Sequence, residues 1–373
     1  MLLYRLIFRC LLAARVDGET AHRWAGRALR LTMAIPGARM LIERALAPRD
    51  PRLRVQALGL LFPSPLGLAA GVDSNATWFP GMAALGFGFV EVGSVTARAQ
   101  RGNDGPRVFR LPRESAILNR RGFPNDGARA VAERLRRRPH GAIVGVNVGK
   151  SRDVPLERAE EDYRASVREL APLADYLALN VSSPNTPGLR EMQSVQRLRE
   201  LVLAVREELA RTAPRLPLLV KIAPDLEDEQ IDAIAALALE LELDGIIAVN
   251  TTVERGVLSS AQELPAGVAD GGISGAPLKP RALAVLRRLR ARTGGRLTLV
   301  SVGGVESAQD VCERLQAGAT LVQAHTALVY GGPMWPRHVN RELSRSLRSR
   351  GLASVEDLIG AQGPPQGMYA RTR

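Results

Sequence analysis

Lysine is almost missing from this chain of 373 residues, occurring only as Lys150, Lys221 and Lys279. The formal net charge of +13 and the pI near 10.8 are therefore an arginine excess. Such a balance fits nucleic acid, an anionic membrane surface or an anionic substrate, and arginine-rich coding bias produces the same figure. Cysteine is nearly as scarce. Cys10 and Cys312 exclude a disulfide framework and a cysteine-based metal site, and they point to a reducing compartment. At 4% aromatic residues the chain has no interleaved stacking platform for single-stranded nucleic acid. No uninterrupted apolar run reaches the ~20 residues that span a bilayer. What is abundant is hydrophobic sequence, 46% of the chain. That is enough to bury a large core in two domains or in one α/β barrel with additions.

Residues 1–48 differ from the rest. MLLYRLIFRCLLAARV is apolar but interrupted by Arg5 and Arg9, which also make it a poor signal peptide. A helical pattern from Thr20 to about Thr32 sets Ala21, Trp24, Ala28 and Leu31 against Arg23, Arg27 and Arg30, and a shorter helix is predicted at Ala38–Leu46. Amphipathic, arginine-bearing helices at a terminus read either as an in-plane membrane contact or as a helical cap on the main domain.

From Leu53 onward short apolar runs alternate with helical ones. A hairpin is predicted at Leu53–Phe62, across a barrel floor. Eight strands follow: Leu66–Ala70, Phe89–Val92, Ile143–Asn147, Tyr176–Asn180, Leu218–Ile222, Gly245–Val249, Thr298–Ser301 and Leu321–Ala324. Helices such as Val195–Arg211, Asp228–Leu239, Arg281–Arg292 and Ala308–Gln316 separate them. This alternation predicts a (β/α)8 TIM barrel rather than a doubly wound sheet. Two loops exceed what a barrel needs, Thr96–Pro124 and Asn250–Pro277, and long loops on the catalytic face cover or build a site.

The strand ends form a ring of polar groups. LALNVSSPNTPGLR turns from a buried strand into hydroxyls and amides at Asn180, Ser182, Ser183, Asn185 and Thr186. One such loop is as well explained by an Asx or Ser turn. The ring as a whole is not: Asn147, Asn180 and Asn250 end three strands, and paired amides can hold a planar ring with carbonyl and N–H edges. Gly303 and Gly304 let backbone N–H groups approach a phosphate, as barrels do after strands seven and eight. Lys221 inside a barrel strand is costly unless it faces an anion, either a bound group or a carboxylate such as Asp225.

Taken together, GLAAG, GFGFVEVGSVTARAQRGNDGPRVFRLP, ILNRRGF, GVNVGK, LADYLALNVSSPNTPGLR, VKIAPDL, NTT, GGISGAPL and SVGGV…AGATLVQ resemble the class 2, quinone-dependent, membrane-associated dihydroorotate dehydrogenases. The match runs in order from VDGETAH almost to the C-terminus. It implies FMN in a barrel over residues 49–360, a quinone tunnel and membrane contact through residues 1–48, and a flexible tail at 361–373. It also implies oxidation of dihydroorotate to orotate in pyrimidine synthesis, with a quinone reoxidising the flavin.

By position, the resemblance implies Ser183 as catalytic base, taking a proton while hydride leaves the neighbouring carbon for the flavin. A serine is a weak base, so Thr186 or a bound water is expected to relay the proton. Asn119, Arg120, Arg121, Gly122 and Phe123 fall at substrate positions, as do Asn180, Asn185, Asn250 and Thr251. Flavin positions are Ala70, Gly71, Val72, Asp73 and Ser74, then Ser94, Asn147, Asn180 and Lys221, and finally Val249, Gly275, Gly304, His325 and Thr326. His22, Val108, Arg110 and Pro333 match the quinone tunnel. Soluble class 1 relatives use cysteine as the base, and neither cysteine here can occupy that position.

Four departures sit in the pocket. Ser74 stands where the family has a lysine touching flavin and substrate carboxylate, a charged contact worth roughly 1.5–3 kcal/mol. Its loss predicts a substrate at least tenfold weaker unless Arg120 or Arg121 substitutes. Val249 replaces a threonine, His325 a tyrosine, and Pro124 an asparagine. These departures keep a second reading open, an FMN-binding paralogue with another substrate or without turnover. An RNA-directed flavin reductase is a third; it needs a basic appendage, and none follows the barrel. The expected protein is a monomer held peripherally on the cytoplasmic side of the cell membrane. Leu2, Leu3, Leu6, Ile7 and Leu11 are the inserted face, with Arg5, Arg9 and Arg15 at the headgroups.

Overall fold

The computed structural model describes residues 15–139, 141–259, 268 and 270–361, together with residues 4, 6–8 and 10 ahead of them. The positions expected at Leu2, Leu3, Arg5, Arg9 and Leu11, and the tail beyond 361, lie outside the described residues.

Two helices open the fold, α1 (Gly18–Ala34) and α2 (Ala38–Leu46). The carboxylate of Asp17 caps α1 by accepting from the N–H groups of Glu19 (2.9 Å) and Thr20 (3.0 Å). Gly26 brings α1 against Trp78, since a Cβ there would stand 2.1 Å from the indole. Next comes the hairpin β1 (Val55–Ala57) and β2 (Leu60–Phe62), which pair antiparallel where the sequence places a hairpin.

The barrel strands are β3 (Leu66–Leu68) and β4 (Phe89–Val95), followed, after an excursion through β5 (Val108–Leu111) and β6 (Ala116–Asn119), by β7 (Val144–Val148) and β8 (Tyr176–Asn180). β9 (Leu218–Ile222), β10 (Gly245–Ala248), β12 (Thr298–Val302) and β13 (Leu321–Ala324) complete it, with β11 (Gly272–Gly275) on the outside. All neighbours in the ring are parallel, and it closes through β13 on β3. β7, β8 and β9 are buried at every residue, which is why they read as apolar runs instead of alternating ones.

The two long loops are not irregular. They contribute β5, β6 and β11, which pair antiparallel in the order β11-β6-β5 beside the barrel mouth. Four-residue strands are too short to leave a periodic signal, and β11 reaches β6 from about 150 positions away.

A polar knot lies inside the barrel. Glu91, fully buried, accepts from Asn147 Nδ2 (2.8 Å), Tyr176 Oη (2.9 Å) and Gln323 Nε2 (2.7 Å). Both oxygens of this buried side chain are hydrogen-bonded, as a polar group in that setting must be.

Candidate active site

A cavity of about 810 Å³ opens at the C-terminal ends of the strands and extends beneath α1. That places it in the upper part of the ~300–1,000 Å³ range of small-molecule sites. It has two halves. The inner half is lined by strand-end polar groups, and the outer half by apolar side chains of α1, β5 and the segment after β13.

A continuous hydrogen-bond chain builds the inner wall. Asn250 Nδ2 donates to Asn180 Oδ1 (3.2 Å) and to Ser182 Oγ (3.0 Å). Asn180 Nδ2 donates to Ser94 Oγ (2.8 Å), and Ser94 donates to Asn147 Oδ1. Asn147 then reaches Glu91, so the amides at the mouth are held by the knot at the core. Opposite them, Asn185 Nδ2 donates to Asn119 O (3.2 Å) and Oδ1 (3.1 Å), and Asn119 Nδ2 donates to Gly272 O (3.4 Å). Ser183 is buried on the cavity wall and accepts from the Asn185 N–H at 3.3 Å. Thr186 Oγ1, three residues on, is buried with no hydrogen-bond partner.

The three lysines separate by role. The Lys150 ammonium donates to the carbonyls of Ser151 (3.0 Å) and Val154, closing its own loop. Lys279 pairs with Glu306 (3.3 Å) and Asp310 (2.8 Å). Lys221 alone lines the cavity, and among the described residues it has no ion pair or hydrogen bond. Asp225, its alternative partner by sequence, is instead paired with Arg190 (2.8 Å) and accepts from Thr252. Burial lowers the Lys221 pKa below that of an exposed lysine, and Glu91 beneath it opposes the fall.

Of the expected flavin and substrate positions, Ala70, Gly71, Val72, Ser74, Ser94 and Val249 line the cavity, as do Gly275, Gly304, His325 and Thr326. So do Asn119, Arg121, Gly122, Phe123, Asn180, Ser183, Asn185, Asn250 and Thr251. His22, Val108, Arg110 and Pro333 line its outer half. Three expected contacts fall elsewhere. Asp73 turns its carboxylate to the N–H groups of Thr77 (2.9 Å), Trp78 (2.6 Å) and Phe79 (2.7 Å), fixing the turn into the next helix. Arg120 points outward to Asp270 (2.8 Å). Asn147 lies one layer below the wall, its amide spent on Ser94 and Glu91.

Two positioning residues escaped the sequence reading. Arg190 donates from Nε to Ser182 O (3.2 Å) and from Nη2 to Thr251 O (3.0 Å), tying the serine loop to the Asn250 loop. Its place at the end of LALNVSSPNTPGLR was the available signal. Asn103 Nδ2 donates to Arg120 O (3.0 Å) and Asn185 O (3.0 Å), a contact across 82 positions that no local pattern shows. Pro124 lines the cavity without an amide, and the next residue does not replace it there. Buried Asn125 accepts from the N–H groups of Thr96 (3.2 Å) and Gly127 (2.9 Å).

The cavity fits the FMN that the resemblance implies. Gly304, at φ +70°, packs on Lys279, whose Cβ a side chain would meet at 2.5 Å, so the Gly303–Gly304 turn lines the cavity with backbone alone, a lining that suits a phosphate. Among the described residues Lys221 is an unpaired cation, and Gln323 Oε1, also on a residue lining the cavity, is buried without a partner.

A closed parallel barrel with a polar site on its C-terminal strand ends and an apolar vestibule under an N-terminal cap defines the class: a (β/α)8 enzyme. Comparison with known proteins makes it particular. The family model described as dihydroorotate dehydrogenase matches residues 52–347. The dihydroorotate dehydrogenase (quinone) of Thermobifida fusca is 54% identical over 369 residues, covering 98% of each chain. That of Kineococcus radiotolerans is 55% identical over 353 residues, covering 93% of this chain and 96% of its own. The crystal structure of ligand-free DHODH from Eimeria tenella superposes with a TM-score of 0.84 at 37% identity, covering 94% of this chain and 100% of that one. This chain belongs to the dihydroorotate dehydrogenase family and is an oxidoreductase.

Proposed function

We propose that this chain binds FMN in the inner half of the cavity, oxidises dihydroorotate to orotate there, and passes the electrons to a quinone admitted through the outer half. One juxtaposition carries the reading. Asn180 and Lys221 are register partners on adjacent strands β8 and β9, and Ser183 follows three residues after Asn180. Amides for a planar substrate, a hydroxyl for its proton and a cation for an electron-accepting ring thus share one wall.

When bound, FMN supplies a two-electron acceptor. The chain's own residues do the rest. Asn119, Asn180, Asn185 and Asn250, all on the cavity wall, orient the substrate ring through their amide donors and acceptors. Ser183 Oγ takes the proton from the carbon beside the ring carbonyl, and Thr186, with its unpartnered hydroxyl, is the group to pass it on. Lys221, a cation on the cavity wall, would stabilise negative charge on the bound cofactor. Phe123 and the Pro184–Pro187 loop exclude water.

The cap supports a peripheral membrane reading on the cytoplasmic face. Leu31, Ile35, Met40 and Leu41 are 60–68% exposed on α1, α2 and the turn between them, beside exposed Arg27, Arg30 and Arg44. No helix among the described residues is long and apolar enough to cross a membrane.

Ser74 keeps the paralogue reading in view, and one experiment separates the two. The purified yellow protein is titrated anaerobically with dihydroorotate while flavin absorbance is followed. Bleaching, reversed by a quinone, is the expected result. A yellow protein that stays oxidised ends the dihydroorotate assignment and leaves a flavin-binding relative.

A further inference from the structure

Three consecutive residues after β3 face three nitrogen side chains from distant parts of the chain. His325, after β13, stands against the Ala70–Gly71 backbone, where a Cβ on Gly71 would lie 3.4 Å from its Nδ1. Arg121 Nη1 donates to Gly71 O at 2.8 Å. His22, on α1, stands beside the Val72 backbone with its ring edge-on to Trp78, 4.6 Å between centroids. The cluster stands where the polar and apolar halves of the cavity meet, with Ala25, Leu29 and Val108 on its outer side.

Arg121 is the least satisfied member. Its Nε is buried without a hydrogen-bond partner, although it lines the cavity. The Glu19 carboxylate stands 4.0 Å away, already taken by Arg107 through Nε (2.9 Å) and Nη2 (2.7 Å). No hydrogen bond joins the Arg121 side chain to Asn119, Ser183 or Asn185 among the described residues, and Asn119 and Asn185 are paired with each other. Its neighbours are α1 and the two imidazoles.

We propose that Arg121 serves the electron acceptor, donating to a quinone carbonyl oxygen and neutralising the charge that develops there, with His22 and His325 as flanking hydrogen-bond acceptors. This rests on the reading above that a quinone reoxidises the flavin. A neutral imidazole has one N–H and one acceptor nitrogen, so a ring that turns its N–H to the neighbouring backbone carbonyl offers its other nitrogen as an acceptor. Burial first, and Arg121 second, push His22 down to about 3 and His325 to about 4, so both rings are neutral at physiological pH. Arg121 is then the donor in the cluster for an oxidised quinone, whose oxygens only accept. Reduction converts two C=O groups into two C–O–H groups. The electron pair and one proton come from the reduced flavin and the second proton from solvent. The new O–H groups can then donate to the imidazole nitrogens, which an oxidised quinone could not satisfy.

The test uses full-length holoenzyme reduced by light and deazaflavin, so that it does not depend on dihydroorotate. In R121Q, reoxidation by menadione is expected to slow about tenfold or more, the loss of one charged hydrogen bond. Reoxidation by ferricyanide and the Kd for orotate stay within about twofold, and R121K recovers most of the menadione rate. The Kd of 2-hydroxy-1,4-naphthoquinone, an anion at neutral pH, weakens about tenfold in R121Q while that of menadione changes less. Unchanged menadione reoxidation overturns the proposal, as does a tenfold weaker orotate with quinone kinetics intact, which would assign Arg121 to the substrate. A wild type that bleaches with light but not with dihydroorotate refutes the substrate reading while leaving this comparison intact. A wild type that menadione cannot reoxidise refutes the quinone reading and this proposal together.

Discussion

Ser183 Oγ accepts one hydrogen bond, from Asn185 N–H, and its own proton has no acceptor among the described residues. It is free to donate or to receive at the cavity wall, which suits a base that works only on a bound substrate. Ser183→Ala should therefore slow flavin reduction by dihydroorotate by roughly 10²–10⁴-fold, the usual worth of a positioned acid–base group. Flavin content and reoxidation by quinone should be unchanged. Stopped-flow absorbance of the two half-reactions checks this, and loss of both would sink the assignment of Ser183 to proton transfer. Gly304 makes a second residue-scale case. Alanine there meets Lys279 Cβ at 2.5 Å and Cα at 2.7 Å with φ at +70°, whereas alanine at Gly294, φ +60°, meets nothing within 4 Å. Both carry the left-handed backbone cost of about 1 kcal/mol or more, but only Gly304→Ala adds a collision on the turn expected to carry phosphate. The flavin-to-protein ratio should fall in G304A and hold in G294A; equal ratios would remove Gly304 from the cofactor site.

At the scale of elements, a carboxylate ties the segment ahead of the barrel to the last helix. Asp50 precedes the first barrel elements and accepts from Ser344 Oγ and from Arg348 Nη2 (2.7 Å) on the helix Trp335–Ser349. Burial alone would raise its pKa, but Ser344, Arg348 and the Arg52 N–H together hold it at about 2. A depressed carboxylate contributes stability that is complete above its unfolded pKa, near 4, and is lost as pH falls toward 2. Asp50→Asn should therefore lower Tm at pH 7 by a few degrees, on the order of 1 kcal/mol, and the gap to wild type should narrow by pH 3. A gap that persists undiminished at low pH would mean that shape rather than charge is at work.

Elements also show what was legible in the sequence. The barrel strands announce themselves because β7, β8 and β9 are buried on both faces and so are continuously apolar. The β11-β6-β5 sheet did not, because each strand has only four residues: β5 and β6 form a hairpin too short to show alternation, and β11 joins them from a remote part of the sequence. Motif position located the cavity-lining residues, yet it could not say which way a side chain turns. Asp73 and Asn147 lie in the right segments but spend their polar atoms on a helix-entry turn and on Glu91. Arg121 lies in the expected loop but faces α1, a direction fixed by the Gly71 carbonyl.

At the scale of the molecule, the arginine excess and the cap belong to one argument. The net charge is +13, and the exposed apolar residues of the cap, Leu31, Ile35, Met40 and Leu41, stand beside arginines of α1 and α2. Each basic residue near an anionic surface is worth about 1 kcal/mol at moderate salt, and that part fades as screening rises. Burying four apolar side chains in the acyl boundary adds a part that salt does not remove. Full-length protein should thus co-sediment with phosphatidylglycerol vesicles, and high salt should release it only partly. The triple variant Leu31→Ser, Met40→Ser, Leu41→Ser alters none of the cavity-lining residues. It should lose the salt-resistant fraction and, with it, most turnover of a long-chain quinone dissolved in the vesicles, while turnover of soluble menadione stays within about twofold. Protein that remains in the supernatant with anionic and neutral vesicles alike would leave the cap as a roof over the cavity and nothing more. An unaffected long-chain quinone rate in the triple variant would place membrane docking on some other face.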